Sequence, residues 1–307
     1  MKVTLISTVF NCVDRVAPFL ASLEGQTRVP DEVVIVDGGS SDGTAEAFRA
    51  ERRITVIDAP GANISTGRNI ALANATHEAI AATDADCELD PGWLAAIVAP
   101  LEDGADVAAG FYQPVAEDFF QRCVAALNLP MDASEVDPAR FMPSARSVAF
   151  RREAIDAVGG YPEWLDIGED MWVDHRWREL GMDIRFAPDA VVRWTLRPDL
   201  RSTLTQYFRY ARGDALAGMH PERHALRFAV YGGLVAALVA GRTWPKLLAA
   251  AGAVAYARTP VRRAWRRLPD PADRARATLA VPLLLGATDV AKMVGYKAGL
   301  LRRLRGR

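Results

Sequence analysis

The first hundred residues alternate between two hydrophobic patterns. The runs "KVTLISTVF", "EVVIV", "RRITVIDAPG" and "EAIAATDAD" are short and rich in apolar and β-branched residues, as buried strands are. Between them the spacing is helical. Val16, Phe19, Leu20 and Leu23 fall on one face of "RVAPFLASLEGQT", and "AEAFRAE", with Thr44 as its cap, and "STGRNIALANA" repeat the plan. Strands alternating with helices predict βαβ units and a mostly parallel sheet. After about residue 105, "DVAAGFYQPV" and "RSVAFRREAI" predict further strands, the second leading into a helix. "GEDMWVDHRWRELG" predicts a loop entering a helix that Gly181 ends, and "MDIRFAPDAVVRW" closing strands.

In open α/β sheets, ligands bind at the carboxyl ends of the strands. That rule puts Thr8 to Asn11, Asp37 to Asp42 and Asp84 to Asp86 along one edge. An isolated acidic pair such as Asp84 and Asp86 also reads as a solvated turn. Its place after a buried strand, with polar companions on neighbouring strand ends, points instead to a hard divalent cation. Mg²⁺ and Mn²⁺ take carboxylate and phosphate oxygens, so one or two carboxylates suffice when a diphosphate supplies the rest.

Beyond "RSTLTQYFRYARGDA" the pattern changes. Residues 228 to 241 carry no charge, and 228 to 257 carry only Arg242 and Lys246. These uncharged runs fall short of the roughly 18 to 20 residues of a membrane span. Two short helices joined near "GRTWP" predict a re-entrant or interfacial hairpin. "ATLAVPLLLGATDVAKMVGYKAGLL" predicts a further amphipathic element with Asp289 and Lys292 on its polar side. A soluble helical cap over a core is the alternative.

Charge sharpens this division. Residues 1 to 200 hold 17 Lys and Arg against 33 Asp and Glu, a balance of −16; residues 201 to 307 hold 20 against 5, a balance of +15. The basic clusters "RTPVRRAWRR" and "LLRRLRGR" alternate with apolar runs and come with no nucleic-acid motif, which favours an anionic membrane surface over nucleic acid. Cys12, Cys87 and Cys123 are too few and scattered for a disulfide framework or a zinc site and suit a reducing compartment. "MKVTLISTVFN" leads directly into a strand-like run without a small-residue cleavage site, so it does not read as a signal peptide. The expectation is an acidic domain at the cytoplasmic face of the cell membrane. The divisions are 1–200, a connecting amphipathic helix at 201–224 and a basic apolar helical segment at 225–307.

In their order and spacing, "VIVDGGSSDGT", "STGRNIALANA", "ATDADCELDPGWL", "RSVAFRREAIDAVGGYPE" and "GEDMWVDHRWRELG" resemble the family 2 glycosyltransferases, inverting enzymes of the GT-A fold, here of a membrane-associated bacterial type. The resemblance covers roughly residues 1 to 200. It implies a Rossmann-like catalytic domain that binds a nucleotide diphosphate sugar. Within it Asp37 matches the acidic contact to base or ribose, Asp84 the ribose contact and Asp86 the metal ligand for Mg²⁺ or Mn²⁺. Thr8 and Asn11 belong to the first donor-binding segment, where backbone contacts are expected; the proline that many members carry near Thr8 is absent. Arg68 and Asn69 match the "RN" beside the nucleotide. Asp170 matches the base that takes the acceptor hydroxyl proton, with Glu169 supporting it.

Several of these residues have plainer readings. Asp42 reads equally as the cap of the helix near Thr44, Arg68 as a surface salt bridge, and Asp170 and Glu169 as helix-start acids. Glu88 is expected to face solvent, and Asp90 with Pro91 to start the next helix. His175, Trp164, Trp172, Trp177 and Tyr161 read more simply as packing than as ligand contacts. "QYFRYARG" is similar to the "Q-x-x-R-W" of processive members, with Tyr210 in place of tryptophan. There Arg209 and Arg212 read either as phosphate contacts or as solvated helix arginines.

The function expected is metal-dependent transfer of a sugar to a hydroxyl of a lipid-linked or polysaccharide acceptor. Two rivals remain. A sugar-nucleotide nucleotidyltransferase needs a basic Gly-rich N-terminal loop that "STVFNCVDR" does not supply. A non-catalytic binding module of the same fold would not need Asp86 and Asp170 together.

Overall fold

The computed structural model describes residues 1–239 and 243–306. The expected strand and helix alternation is present: β1 (Val3–Val9), α1 (Val13–Glu24), β2 (Glu32–Asp37), α2 (Thr44–Arg49), β3 (Ile54–Asp58), α3 (Ile64–Asn74) and β4 (Ala79–Ala82). β4 is buried at every position and β1 and β2 at all but one, which explains why their sequences are continuous apolar runs. Next come β5 (Cys87–Leu89), α4 (Trp93–Glu102), β6 (Val107–Val115), α5 (Phe119–Asn128), β7 (Val148–Arg151), α6 (Arg152–Ala157), α7 (Glu169–Glu179) and β8 (Ile184–Thr195).

All eight strands form one sheet, in the order β3-β2-β1-β4-β7-β6-β8-β5. The β3-β2-β1-β4 half is parallel; β7 enters antiparallel to both β4 and β6, which makes the sheet mixed. The chain runs outward from β1 to β3 and then returns to place β4 on the other side of β1. This reversal is the switch point where a ligand crevice opens. Register fixes what stands at its rim: Val9 pairs with Asp37 and Ile6 with Ala82, two residues before Asp84. The core joins Ile6, Val34 and Val36 to Ala71 and Leu72 of α3 and to Val173 and Trp177 of α7. Each such fully buried large side chain contributes about 1.5–3 kcal/mol.

Two local expectations are corrected. Residues 87–89, to which the sequence pattern assigns no element, are a strand antiparallel to β8. The helix expected to start at Asp90 and Pro91 begins at Trp93, whose N–H donates to the Asp90 carbonyl, while the Asp90 carboxylate pairs with Arg193 at 3.0 Å. Thr44 is not a cap but the first residue of α2. The cap is Gly43, at φ 94°, and the Thr44 hydroxyl instead accepts from the Cys12 N–H at 2.9 Å.

The chain divides into two compact units, Met1–Val115 with Met131–Thr195, and Ala116–Pro130 with Leu196–Arg307. The second unit is helical: α5 is joined by α8 (Leu200–Ala217), α9 (Pro221–Val239), α10 (Thr243–Arg267) and α11 (Pro271–Leu304). α8 and α11 approach backbone to backbone. A Cβ on Gly295 would meet the Phe208 carbonyl oxygen at 2.1 Å, and one on Gly299 the Arg212 oxygen at 2.5 Å. α9 and α10 are 19 and 25 residues long, not short; of the junction expected near "GRTWP", residues 241 and 242 lie outside the described residues and Thr243, Trp244 and Pro245 begin α10. α11 is one continuous helix. Among the described residues it is the one helix long and apolar enough to cross a membrane, which the short uncharged runs of the sequence had not suggested.

Candidate functional site

Arg68 organises the cleft. It sits in the first turns of α3, whose start is set by Asn63: the Asn63 side chain accepts from the Thr66 N–H at 2.9 Å. Gly67 brings this turn against β1, because any Cβ there would lie 2.9 Å from the Thr8 methyl. Arg68 is 4% exposed, so its guanidinium must be paired. One nitrogen donates to Glu169 at the start of α7, and another to Asp84 at 3.1 Å. Its plane also lies 5.3 Å from the centre of the Tyr161 ring. Burial alone would lower the Arg68 pKa; the neighbouring Glu169 and Asp84 carboxylates outweigh it and raise it, so the cation is permanent.

Asp84 faces a second guanidinium, that of Arg146, at 4.0 Å. Arg146 in turn lies 4.3 Å from the Trp194 ring centre. The sequence reading passed over Arg146, although it sits in the "RSVAFRREAI" segment. Its distance from Asp84 along the chain is closed only by the β4–β7 pairing. Asp86, two residues on, is half-buried, and the Cys87 thiol contacts its carboxylate at 3.7 Å. Burial, with the acids Asp86 and Asp84 adding to it, pushes that thiol well above its ordinary range. It is therefore a donor to Asp86 and not a thiolate ligand.

The end of β2 carries an incompletely satisfied acid. Asp37 is 3% exposed; one carboxylate oxygen accepts from the Gly39 and Ser40 N–H groups at 2.9 and 2.8 Å, and the other, Oδ1, has no partner. Gly39, at φ 99°, gives the tight turn that presents those two N–H groups. A buried carboxylate oxygen without a donor costs free energy unless something supplies one. Asn11, itself at φ 47°, accepts from the Ser41 N–H at 2.9 Å and holds the same turn. Asp42 is committed to structure: its oxygens accept from the Thr44 hydroxyl at 2.6 Å and the Val13 N–H at 3.1 Å.

The other rim is the loop before α7 and the helix itself. Asn69 pins that loop by a reciprocal pair with the Tyr161 backbone, both bonds at 2.8 Å, and by a third bond to Glu163 at 2.9 Å. Its side chain is thus occupied by the loop, a different role from the donor contact expected of it. Gly168, at φ 78°, turns the chain into α7 and sets Glu169 and Asp170 in the first turn. Glu169 is buried against Arg68. Asp170 is half-buried, accepting from the Met171 N–H at 2.8 Å and from the Ala145 N–H at 3.4 Å. Of the aromatic candidates, Trp177 and Tyr161 are core, whereas Trp164 is 58% exposed and stands edge-on to Trp172 at 6.4 Å.

The sheet and α3 thus bring Asp84, Arg68, Glu169 and Arg146 together, with Asp86 and Asp170 as chain neighbours of two of them. Glu88 is exposed, as expected. Arg209 and Arg212 lie on α8 in the other compact unit. Among the described residues no three His, Cys, Asp or Glu side chains converge as a metal cage. A hard divalent cation could be held here by the half-buried Asp86 carboxylate only if phosphate oxygens supplied its other ligands.

Residues 4–159 match the model of glycosyl transferase family 2. The chain is 26% identical over 228 residues to the O-antigen chain rhamnosyltransferase RfbN of Salmonella typhimurium, covering 68% of this chain and 71% of that one. It is 30% identical over 246 residues to the pre-mycofactocin glycosyltransferase of Mycobacterium tuberculosis, covering 73% of this chain and 49% of the other. Among solved structures, the mannosyltransferase PcManGT of Pyrobaculum calidifontis, in complex with GDP-Man and Mn²⁺, superposes with a TM-score of 0.64 at 23% identity, over 95% of this chain and 87% of that one.

Proposed function

Because the chain belongs to glycosyl transferase family 2 and has the GT-A fold, it is a glycosyltransferase, and we propose that it moves a sugar from a nucleotide diphosphate sugar to a hydroxyl of a lipid-linked or polysaccharide acceptor, with inversion and with Mg²⁺ or Mn²⁺ bound. The observation that carries this reading is the Arg68 bridge. One buried cation ties Asp84, just past the end of β4 and two residues before Asp86, to Glu169, the chain neighbour of Asp170. A donor-binding acid and an acceptor-side acid are thereby held on two sides of one cleft.

In this reading the free Oδ1 of Asp37 accepts an N–H or hydroxyl of the nucleoside, which would meet its missing hydrogen bond. Asp84, fixed by Arg68, has lone pairs left for the ribose hydroxyls. The Gly39 and Asn11 turns hold that pocket's backbone in place. Asp86 holds the cation, which when bound neutralises charge on the departing diphosphate. Asp170 takes the proton of the acceptor hydroxyl as that oxygen attacks the anomeric carbon on the face opposite the leaving group. Glu169 keeps Asp170 in place through its own bond to Arg68. The acidic unit would work at the cytoplasmic face of the cell membrane, held there by the basic helical unit.

A donor screen tests the proposal. Purified protein is incubated with nucleotide diphosphate sugars and membrane lipid extract, and nucleoside diphosphate release is measured with and without a chelator. Release with one donor, abolished by chelation, is the expected result. Release of pyrophosphate from a nucleoside triphosphate and a sugar phosphate would instead identify a nucleotidyltransferase.

A further inference from the structure

The two helices α9 and α10 expose apolar side chains over much of their length, with only a narrow stripe half-buried: Tyr231, Leu234 and Ala237 on α9, Pro245 and Ala249 on α10. His224 is the one buried residue of α9, and α10 buries nothing before Ala257. Between these points Val239 is 80% exposed and Val254 71%, with Leu238, Trp244, Leu247 and Leu248 more than half exposed. Residues 228–239 carry no charge and 243–256 only Lys246. An exposed apolar surface this wide, covering all but that stripe, belongs inside another apolar phase. A protein partner would cover one face.

Both ends of this stretch are basic. Arg223 and Arg227 precede it on α9, Arg258, Arg262, Arg263 and Arg266 follow it on α10, and Lys246 stands near the start of α10. The near end is clamped. Asp289 of α11, 1% exposed, accepts from the hydroxyls of Tyr231 on α9 at 3.1 Å and Tyr256 on α10 at 2.8 Å, and from Arg227 at 3.0 Å. One carboxylate therefore holds both helices. α11 is fixed in turn by Ala277, Val281 and Leu285, which share a core with Cys123, Ala126 and Leu127 of α5.

We propose that α9 and α10 form an in-plane anchor that lies within one leaflet of an anionic bilayer, its apolar sides in the acyl region and the cations at both ends at phosphate level. This deepens the membrane-associated reading above and rests on it. Magnitudes favour lying flat over dipping tip first. The stretch from Tyr231 to Val239 is roughly 12 Å long at about 1.5 Å per residue, too short to span about 30 Å of hydrocarbon. Inserted tip first, it would carry Lys246 towards the bilayer centre, where a charged side chain is costly. Lying flat, the helices keep every cation within reach of phosphate, and the two tyrosines sit where amphipathic rings settle.

The test uses the full chain and vesicles of phosphatidylcholine and phosphatidylglycerol. Flotation is measured, together with quenching of tryptophan fluorescence by lipids brominated either near the headgroup end or at the methyl end of the acyl chain, in wild type and Trp244→Phe. The expected result is flotation that weakens with salt, and headgroup-end quenching that the Trp244→Phe chain largely loses. The double variant Leu247→Glu with Val254→Glu should bind vesicles about tenfold more weakly or worse while binding nucleotide sugar as wild type does. Strongest quenching from methyl-end bromines would overturn the in-plane arrangement. Flotation with quenching indifferent to Trp244→Phe would remove these helices as the anchor and leave the membrane reading standing. Failure of the wild-type chain to float would overturn both.

Discussion

Arg68 and Glu169 form an ion pair in which each side chain is only 5% exposed. The two residues are a hundred positions apart in the chain, on α3 and α7, and their pairing joins the two rims of the cleft. A buried pair of this kind is expensive to leave half made, because the surviving charge has lost its solvent as well as its partner. Glu169→Gln should therefore cost roughly 3–5 kcal/mol in a denaturant unfolding experiment. Asp84, 3.1 Å from the same guanidinium, moderates the loss towards the lower figure. A change within the scatter of surface substitutions would show that the pair does not support the fold.

Asp86 is expected to behave in the opposite way. It is half-buried at the rim of the cleft, outside the buried Arg68–Glu169 pair. Asp86→Ala should leave the melting temperature near that of wild type and abolish the metal dependence of nucleotide-sugar binding in calorimetry. Stripping the wild-type protein with a chelator should reproduce the variant's affinity.

A pH signature comes from Asp174, one helical turn beyond Asp170. It is 2% exposed, and its Oδ2 has no hydrogen-bond partner. Burial, reinforced by Asp170 and opposed by Arg178, raises its pKa well above the ordinary 3.8, so the native state keeps a proton that the unfolded chain releases. The carboxyl's contribution is fully present below 3.8 and is lost as pH rises from there towards the native value, by about 1.4 kcal/mol for each pH unit crossed. Asp174→Asn should match wild type in melting temperature at the acid end and exceed it increasingly towards neutrality. Parallel melting curves across that range would show that Asp174 ionises normally.

Trp164 is the exposed aromatic of the loop before α7, and Asn69 and Asn63 both bond to that loop. If its ring receives an acceptor sugar, Trp164→Ala should raise the acceptor KM about tenfold, the effect of losing roughly 1.4 kcal/mol of aromatic contact, and leave the donor KM unchanged.

The sequence made some of these features readable and hid others for physical reasons. β1, β2 and β4 are legible because strands buried on both faces leave no alternation to confuse with a helix, and the rule about strand ends then gathers Asp37, Asp84 and Asp86. β5 was not legible: three residues give no period, and the strand exists because β8 offers it a partner. Arg146 reaches Asp84 through the pairing of β7 with β4, a long-range event with no local trace. Asn69 read as a ligand contact because its place beside Arg68 is visible in the chain, while the backbone of Tyr161 that occupies it is not. The continuity of α11 was not legible because Asp289 and Lys292 interrupt its apolar runs; in three dimensions the Asp289 carboxylate is taken up by Arg227 of α9 and Tyr256 of α10.

In the proposed reaction Asp170 is the base of an inverting transfer in this cleft. Its most direct test is Asp170→Asn, assayed for sugar transfer with the donor found by the screen and for donor binding by calorimetry. Transfer about 10²- to 10⁴-fold slower with donor affinity unchanged is the predicted result. Wild-type transfer by Asp170→Asn would contradict it.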